Sequence, residues 1–461
     1  MRRLSLLPLL VLAFGGVAHA DRALTLDDAL ALARANNKDL KAAKTRIDQS
    51  AVGVRQALAT LLPTVAVNGK YTHNYKEVTL DLGSINQGTL ALADLIKQGV
   101  PQSGAAIDAF EAQVRKSTPA PVVIQPSEQL DFAISATLPL VVPYGYSAYS
   151  ANSKNVDAAR ANYAATEAQL LFQTAQNFFV AAGNDELVQT RRHAIEVSRK
   201  TLDNAKARLE AGVVNRVEVT RAQLAVLRAE QAALETEDAR NRAYTSLRTL
   251  VQLPEAFHVV PQNVETAPVD VKELARQALS LRPEFIAYQK TIDANSAFLT
   301  STKWRWAPAL SGFGNFRAFN YQGFAGDNFA WAIGLSLDWL LYDGGLRESQ
   351  DMLYKAQKAE NEWHFSQLKD TVLGDLENDR RALSTKRSAL QTSVRSVELA
   401  KETLDLVRVQ HDAGTATQLD VLTAQDQLIG SEVAVAQARF DLSLADLQLR
   451  RTAGTFPGPA R

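Results

Sequence analysis

The 461-residue chain contains no cysteine. Disulfides, catalytic thiols, cysteine-held metals and a lipid-modified N-terminal cysteine are therefore excluded. Beyond residue 20 there is no run of 18 apolar residues, so no transmembrane helix is expected. The 50 basic and 50 acidic residues balance, so no net field favours nucleic acid as a partner.

Motifs for chemistry are also missing. The six histidines form no HxxxH, HxH or HExxH pattern, which argues against a metal site. No GxSxG, phosphate-binding or dinucleotide-binding glycine pattern occurs. We therefore expect no catalytic residues, no metal and no cofactor, and a protein that is not an enzyme.

The first twenty residues have the pattern of a secretory signal. Arg2 and Arg3 precede an apolar stretch from residue 4 to residue 17, and Ala18-His19-Ala20 forms a small-x-small cleavage site. The alternative, a membrane anchor, is disfavoured because the apolar stretch is too short to span a bilayer. We expect residues 1–20 to be removed on export, which leaves a periplasmic, secreted or outer-membrane protein.

The chain repeats itself. Residues 209–223 return at 411–425 with an offset of 202, and weaker echoes occur upstream with offsets of 245 and 199. The identical pairs are Ala211/Ala413, Gly212/Gly414, Val219/Val421, Ala222/Ala424 and Gln223/Gln425. We expect two repeats, residues 21–253 and 271–454, joined by a proline-marked linker at 254–270 and followed by a tail at 455–461.

Most of the chain is predicted to be helical. Residues 145–210 contain no proline and, after Gly145, one glycine, and a helix of that length would reach roughly 100 Å. Leu383, Leu390, Val397 and Leu404 recur at seven-residue spacing, which is typical of a coiled-coil seam. An ordinary amphipathic core stripe is the alternative, but the length favours a coiled-coil bundle.

Two pairs of strands interrupt these helices. Apolar residues alternate with small or polar ones from Phe329 to Trp339, a period of two that predicts a strand. The predicted strands cover about 64–73, 129–141, 309–319 and 328–341, and each is long enough to cross a bilayer in a tilted barrel. A soluble sandwich also shows alternation, but four of the five tryptophans cluster at the second pair, as in an aromatic girdle.

Four strands cannot close a barrel, and an open sheet edge cannot sit in lipid. The barrel interpretation therefore requires that several chains share one barrel. The residues predicted to face lipid are Phe132, Ile134, Leu138, Trp331, Ile333, Leu335, Leu337 and Trp339. Residues 73–128, between the first two strands, are expected to form a surface loop with two short helices.

The repeated segment predicts two tight helical hairpins, with tips at about 209–218 and 411–420. Gly212 and Gly414 suit the left-handed position that ends a helix. Asn215 and Thr417 then occupy N-cap positions, with Glu218 and Asp420 three residues on, as in a capping box. Capping alone is sufficient to explain these acids.

With these features the chain resembles the TolC family of outer-membrane efflux proteins. The resemblance begins at TLDDALALARANN (residues 25–37) and extends to the last predicted helix. Its most specific marks are the twin AGxxxxxE/DV turns followed by Ala-Gln, together with the order of strands, long helix and hairpin in both halves.

The resemblance implies a homotrimer. Each chain would supply four strands to a twelve-stranded antiparallel β-barrel and long helices to a coiled-coil α-helical barrel in the periplasm. The implied function is a passive exit duct of a tripartite efflux pump or a type I secretion system. A periplasmic adaptor would dock at the hairpin tips, and an inner-membrane transporter would supply the energy.

The resemblance also assigns residues. Asp420 matches an acid that rings the pore, and Glu218 matches its counterpart in the other repeat. The family's next acid is replaced by Thr423, its basic gate residue is missing near Ala416, and Arg216 is the substitute in the first turn. The implied adaptor-docking residues are Gly212, Val213, Asn215, Gly414, Thr415 and Thr417.

A periplasmic coiled-coil adaptor is the alternative from a different class. It would explain the signal and the helices, but not the strands with flanking tryptophans. An adaptor should also carry a β-rich, glycine-marked domain beside its hairpin, and the sequence has none.

Overall fold

The protein is described from a computed structural model, which covers residues 22–81, 83–117, 121–260, 271–322 and 327–456. The predicted signal peptide and the end of the C-terminal tail lie outside these residues. The chain divides into two compact units. The helical unit combines Met1–Ser50, Lys154–Asp293 and Lys358–Arg461, and the sheet unit combines Ala51–Ser153 and Ala294–Gln357.

The described residues form ten α-helices, eight strands and one short 3-10 helix, Pro101–Ser103. The α-helices are α1 (Leu26–Asn36), α2 (Lys38–Ala59), α3 (Gly83–Gly99), α4 (Gly104–Lys116), α5 (Pro143–Glu210), α6 (Arg216–Val251), α7 (Val271–Leu281), α8 (Pro283–Trp304), α9 (Leu346–Asp412) and α10 (Gln418–Thr452). The strands are β1 (Arg22–Leu24), β2 (Thr64–His73), β3 (Val78–Leu80), β4 (Val122–Gln125), β5 (Glu128–Val141), β6 (Phe257–Val259), β7 (Ala309–Phe319) and β8 (Phe329–Asp338).

The two longest helices, α5 and α9, contain 68 and 67 residues. Neither has a proline in its interior, and Pro143 occupies the first position of α5, where its missing N–H costs no helical hydrogen bond. Leu383 and Leu404 of the predicted seven-residue repeat are buried, so this part of the repeat marks the packed face of α9. No helix in the described ranges combines the length and the apolar character needed to span a bilayer.

The core of the helical unit includes a strand pair that the sequence did not reveal. β1 pairs with β6 in parallel, and Leu24, Phe257 and Val259 are buried there. Within the predicted linker at 254–270, residues Phe257–Val259 thus form a strand. These residues form a strand because burial of two apolar side chains and pairing with β1 stabilise an extended backbone. Residues 261–270 lie outside the described ranges.

The sheet unit contains a four-stranded antiparallel sheet in the order β2-β5-β7-β8. The register joins Thr64 to Thr137, Thr137 to Phe313 and Phe313 to Gly334. β8 ends at Asp338, three residues before the predicted end. Asp338 pairs with Ala309, the first residue of β7, so the ladder has no partner residue beyond it. Past the strand, Arg347 donates to the carbonyl oxygens of Leu340 and Leu341 at 2.9 and 3.1 Å.

The insertion between β2 and β5 contains more secondary structure than a loop with two short helices. It contains the two expected helices, α3 and α4, and also an antiparallel pair of β3 with β4. The pair carries a register shift between Val78 and Thr79. The sequence signal for these strands is weak because each has only three or four residues.

Candidate functional site

One face of the sheet is apolar and solvent-exposed. On β8, Trp331, Ile333, Leu335 and Leu337 are 67–79% exposed. The register places Phe316 of β7 opposite Trp331, and Ile134 of β5 opposite Phe316, so the three strands share this face. A contiguous apolar surface on this scale marks a contact with lipid or with another protein.

Seven of the eight residues predicted to face lipid lie on the strands of this face. Phe132 and Leu138 are exposed, and Ile134 is half-buried. Trp339 is the exception, because it follows the last residue of β8. Its side chain is exposed and its indole N–H donates to the carbonyl oxygen of Trp306 at 3.1 Å, which anchors the exit of the strand.

The opposite face carries charge. Lys70 of β2 stands opposite Asp131 of β5, and Arg317 of β7 donates to the Asp131 carboxylate at 2.8 Å. Sequence analysis missed this cluster because its members come from three strands and only the register brings them together. Farther along the same face, Phe313 lies against Gly334: a Cβ added at Gly334 would sit 2.7 Å from the ring.

The sheet has two edges among the described residues, β2 and β8. Each edge strand is 10 residues long. Soluble proteins usually shorten, charge or cover such edges, because unpaired N–H and C=O groups recruit further strands. Here one edge strand carries the most exposed apolar residues of the sheet.

In the helical unit, the two predicted hairpins have turns of the same type. Gly212 and Gly414 have φ angles of 71° and 75°, so the left-handed conformation predicted for both is confirmed. The N–H of Val213 donates to Arg208 O, and the N–H of Thr415 donates to Gln410 O, each at 2.9 Å. These are the six-to-one hydrogen bonds of a Schellman motif.

The helices after the turns are capped differently. Asn215 Oδ1 accepts the N–H groups of Val217 and Glu218 at 3.0 and 3.3 Å. Thr417 and Asp420 form a complete capping box, in which each side chain accepts the other residue's N–H. In the second repeat, therefore, the acid itself is part of the cap.

The three gate candidates lie near these caps. Asp420 and Arg216 are exposed, and Glu218 is half-buried. The hydrogen bonds from Thr417 hold the pKa of Asp420 below its ordinary value. Within one chain the carboxylate is therefore ionised at neutral pH and accepts hydrogen bonds from Thr417. The docking candidates Gly212, Val213, Asn215, Gly414, Thr415 and Thr417 are all exposed at the tips.

The two hairpins touch just before their turns. Arg208 Nη1 lies 2.8 Å from Nε2 and 3.1 Å from Nδ1 of His411. A guanidinium can only donate, so the contact requires a ring nitrogen of His411 with a free lone pair. Sequence analysis missed this pair because neither residue is among the identical pairs of the internal repeat.

No group of three or more potential metal ligands occurs among the residues that the structure describes. The candidate site consists of three surfaces: an exposed apolar sheet face, a charged opposite face, and two capped hairpin tips.

Comparison with known proteins shows the family to which the chain belongs. The model of the outer membrane efflux protein family matches residues 29–251 and 274–455. The chain belongs to this family. The family consists of outer membrane efflux proteins, which favours the predicted exit duct over the adaptor alternative.

Individual relatives agree with the family. The outer membrane protein TolC of Vibrio cholerae serotype O1 is 26% identical over 326 residues, which are 66% of this chain and 72% of that protein. The outer membrane efflux protein BepC of Brucella suis biovar 1 is 22% identical over 315 residues, 66% of this chain and 67% of that one.

Solved structures share the fold. The outer membrane protein VceC of Vibrio cholerae superposes with a TM-score of 0.70 at 16% identity, covering 93% of this chain and 96% of that one. The expected mainly helical channel fold is confirmed at this level. The trimer, the closed barrel and the roles of individual residues remain predictions.

Proposed function

We propose that three copies of this efflux protein assemble into a passive exit duct in the outer membrane of a Gram-negative-type cell. Four strands from each chain form a shared twelve-stranded antiparallel barrel, and the long helices form an α-helical barrel in the periplasm. The export signal at residues 1–20 delivers the chain to that compartment.

The exposed apolar sheet face carries the proposal. Side chains such as Ile333 and Trp331 gain their burial from lipid, while the face with Lys70, Asp131 and Arg317 lines the water-filled lumen. The two open edges, β2 and β8, pair with edges of neighbouring copies, because no unpaired edge is tolerated in lipid.

At the periplasmic end, Asp420 forms a threefold ring around the entrance, with Glu218 and Arg216 nearby. A narrow ring of carboxylates attracts cations, because a low-dielectric constriction focuses the field. The duct has no chemistry of its own, so the gradient or ATP that drives export is used by an inner-membrane transporter.

A periplasmic adaptor links that transporter to the hairpin tips. Val213 and Val217 are exposed beside the first turn, and Leu419 is exposed beside the second. Exposed apolar residues at two similar turns suit a partner with a repeated apolar contact. The same design serves drug efflux and type I secretion, since the cargo is selected by the transporter.

Membrane fractionation and bilayer recording test the proposal. The protein should partition to the outer membrane as a trimer that survives mild detergent, and the purified trimer should open channels in planar bilayers. A chain recovered as a periplasmic monomer, with no channel activity after purification, would contradict the duct.

A further inference from the structure

The insertion between β2 and β5 contains a helix with a bare apolar face. Lys97 of α3 forms an ion pair with Asp108 of α4, which marks the side of α3 that faces α4. Leu92 and Leu95 lie about 140–160° around the helix from Lys97, because each residue turns an α-helix by about 100°. Their side chains are 58% and 63% exposed. A helix with one packed face normally turns polar residues to solvent, so these leucines indicate a contact outside the α3–α4 pair.

The same face has the spacing of a coiled-coil seam. Gly88, Leu92, Leu95 and Gly99 follow one another at intervals of four, three and four residues, which keeps them on one side of the helix. We call these four residues the α3 seam. A Cβ added at Gly88 or at Gly99 would meet no atom within 4 Å, so the space beside both glycines is open in a single chain. Small residues in such a row let a second helix approach closely.

The α3 seam carries no charge. The only ionisable residues among the 17 of α3 are Asp94 and Lys97, and neither belongs to the seam. A helix that lies on a lipid surface usually carries several basic residues on its polar side, and α3 has one, which is paired with Asp108. Identical uncharged faces meet without electrostatic repulsion, so a second copy of α3 suits the seam better than a lipid surface does.

The insertion continues two strands of the sheet beyond its end. The chain enters β2 from α2 at Thr64 and leaves β5 for α5 after Val141, so the insertion joins the opposite ends of these strands. β3 and β4 pair with each other, and only Pro126 and Ser127 separate β4 from β5. The Asn74 N–H donates to Ser127 O and Asn74 Nδ2 donates to Pro126 O, each at 2.8 Å. These bonds fix the base of the insertion to the sheet.

We propose that the α3 helices of three copies pack against one another around the threefold axis and close the outer mouth of the duct. This inference rests on the proposed trimer. β2 is an edge strand, so in a shared barrel each insertion begins at a boundary between two copies. Symmetry places all three insertions at the same end of the barrel, opposite the end where α2 and α5 join the strands. Burial of Leu92 and Leu95 between the three helices stabilises the closed mouth.

Thiol cross-linking tests the α3 seam without background, since the chain has no cysteine. Outer membranes that contain Leu95→Cys are treated with a short bifunctional maleimide, and the products are separated under denaturing conditions. Ala109→Cys is the matched control, because Ala109 is exposed on α4 of the same insertion and lies outside the three α3 helices.

We expect a covalent dimer of the chain for Leu95→Cys and none for Ala109→Cys. A trimer that assembles but links at residue 109, or at neither position, would overturn the seam and leave the duct intact. Failure of the unmodified chain to form any trimer would remove the duct and the seam together.

Access from outside the cell tests the closure. Ala332 pairs with Asn315, two residues before Arg317, so Ala332 lies on the charged face that lines the proposed lumen. Ala332→Cys is therefore a reporter for a bulky maleimide that cannot cross the outer membrane. Labelling is measured on trimers recovered from intact cells, in the reporter alone and in the reporter with Leu92→Ser and Leu95→Ser.

The two serine substitutions should raise labelling of the reporter several-fold, because they remove the apolar contact that closes the mouth. Gln87→Ser with Gln98→Ser is the matched control, since both glutamines are exposed on α3 outside the seam, and it should leave labelling unchanged. Equal labelling of the reporter with and without the Leu92→Ser and Leu95→Ser changes would overturn the closure.

Discussion

The carboxylate of Asp420 accepts the backbone N–H of Thr417 at 2.8 Å, and Thr417 Oγ1 accepts the N–H of Asp420 at 3.3 Å. The Thr417 hydroxyl also donates to the Asp420 carboxylate at 2.7 Å. This bond, followed by the one from the Thr417 N–H, lowers the pKa of Asp420. Three such carboxylates around a narrow entrance would raise at least one apparent pKa by mutual repulsion. Capping and gating therefore act on the same group in opposite directions, and they can be separated by experiment.

Asp420→Asn keeps a side-chain acceptor for the cap but removes the charge. In the proposed trimer it should reduce cation selectivity and weaken block by trivalent cations in single-channel recordings. Thr417→Ala is the matched control, because it removes the capping hydroxyl and leaves the carboxylate. The control should lower the Tm and keep wild-type selectivity. If Asp420→Asn instead lowers the Tm and keeps wild-type selectivity, Asp420 only caps its helix.

The lowered pKa also predicts a dependence on pH. A carboxyl group whose folded pKa lies below its unfolded pKa stabilises the fold above the unfolded value. That contribution is lost as the pH falls through the folded value. The Tm of the wild type should therefore approach that of Asp420→Asn in acid, measured by circular dichroism. A difference in Tm that stays constant from neutral to acid pH would contradict this linkage.

The sheet supplies a prediction on assembly. Ile333→Arg places a charge on the apolar face and should cost about 2–4 kcal/mol if the position is near the bilayer midplane, which reduces the yield of trimer in the outer membrane. Ser336→Arg, on the opposite face, should be tolerated. Gly334 is an unsuitable control because Phe313 occupies the space of its side chain. Equal loss of trimer for both variants would contradict the barrel.

The sequence predicted the local features of the fold but not the contacts between distant residues. The alternation around Ile333 and the glycines at 212 and 414 are local signals, since a strand face and a left-handed turn depend on neighbouring residues. The β1–β6 pair, the Asp131–Arg317 contact and the Arg208–His411 contact are not local. Each joins residues far apart in the chain, so composition and spacing carry no trace of them.

The hairpin turns predict a graded series of variants. Gly212→Val forces a β-branched residue to a φ of 71°, which costs about 1–2 kcal/mol or more. No atom lies within 4 Å of an added Cβ at Gly212, so the cost is conformational rather than steric. Gly212→Asn should be milder, because asparagine tolerates this region. The Tm should fall in the order Val213→Ala, Gly212→Asn, Gly212→Val; equal values for the last two would contradict a strained turn.

Tyr244 links α6 to β6 and to α5. Its hydroxyl donates to Asp185 Oδ2 at 2.5 Å and accepts the N–H of buried Val259 at 3.2 Å. Burial, followed by the hydrogen bond to Asp185, raises the pKa of Tyr244 to about 12. The folded protein thus holds the phenolic proton more tightly than the unfolded chain, whose tyrosine titrates near 10.

Tyr244→Phe should therefore destabilise the helical unit in a pH-dependent way. At neutral pH the loss should be about 1–3 kcal/mol, because the Val259 N–H is left buried without an acceptor. The stabilisation from the raised pKa is complete below pH 10 and is lost as the pH rises towards 12. The difference in Tm between wild type and variant should narrow in that range. Tyr149→Phe, at an exposed position, is the control and should leave the Tm unchanged at both pH values. A Tyr244→Phe difference as large at pH 11 as at pH 7 would show that the phenol acts through packing alone.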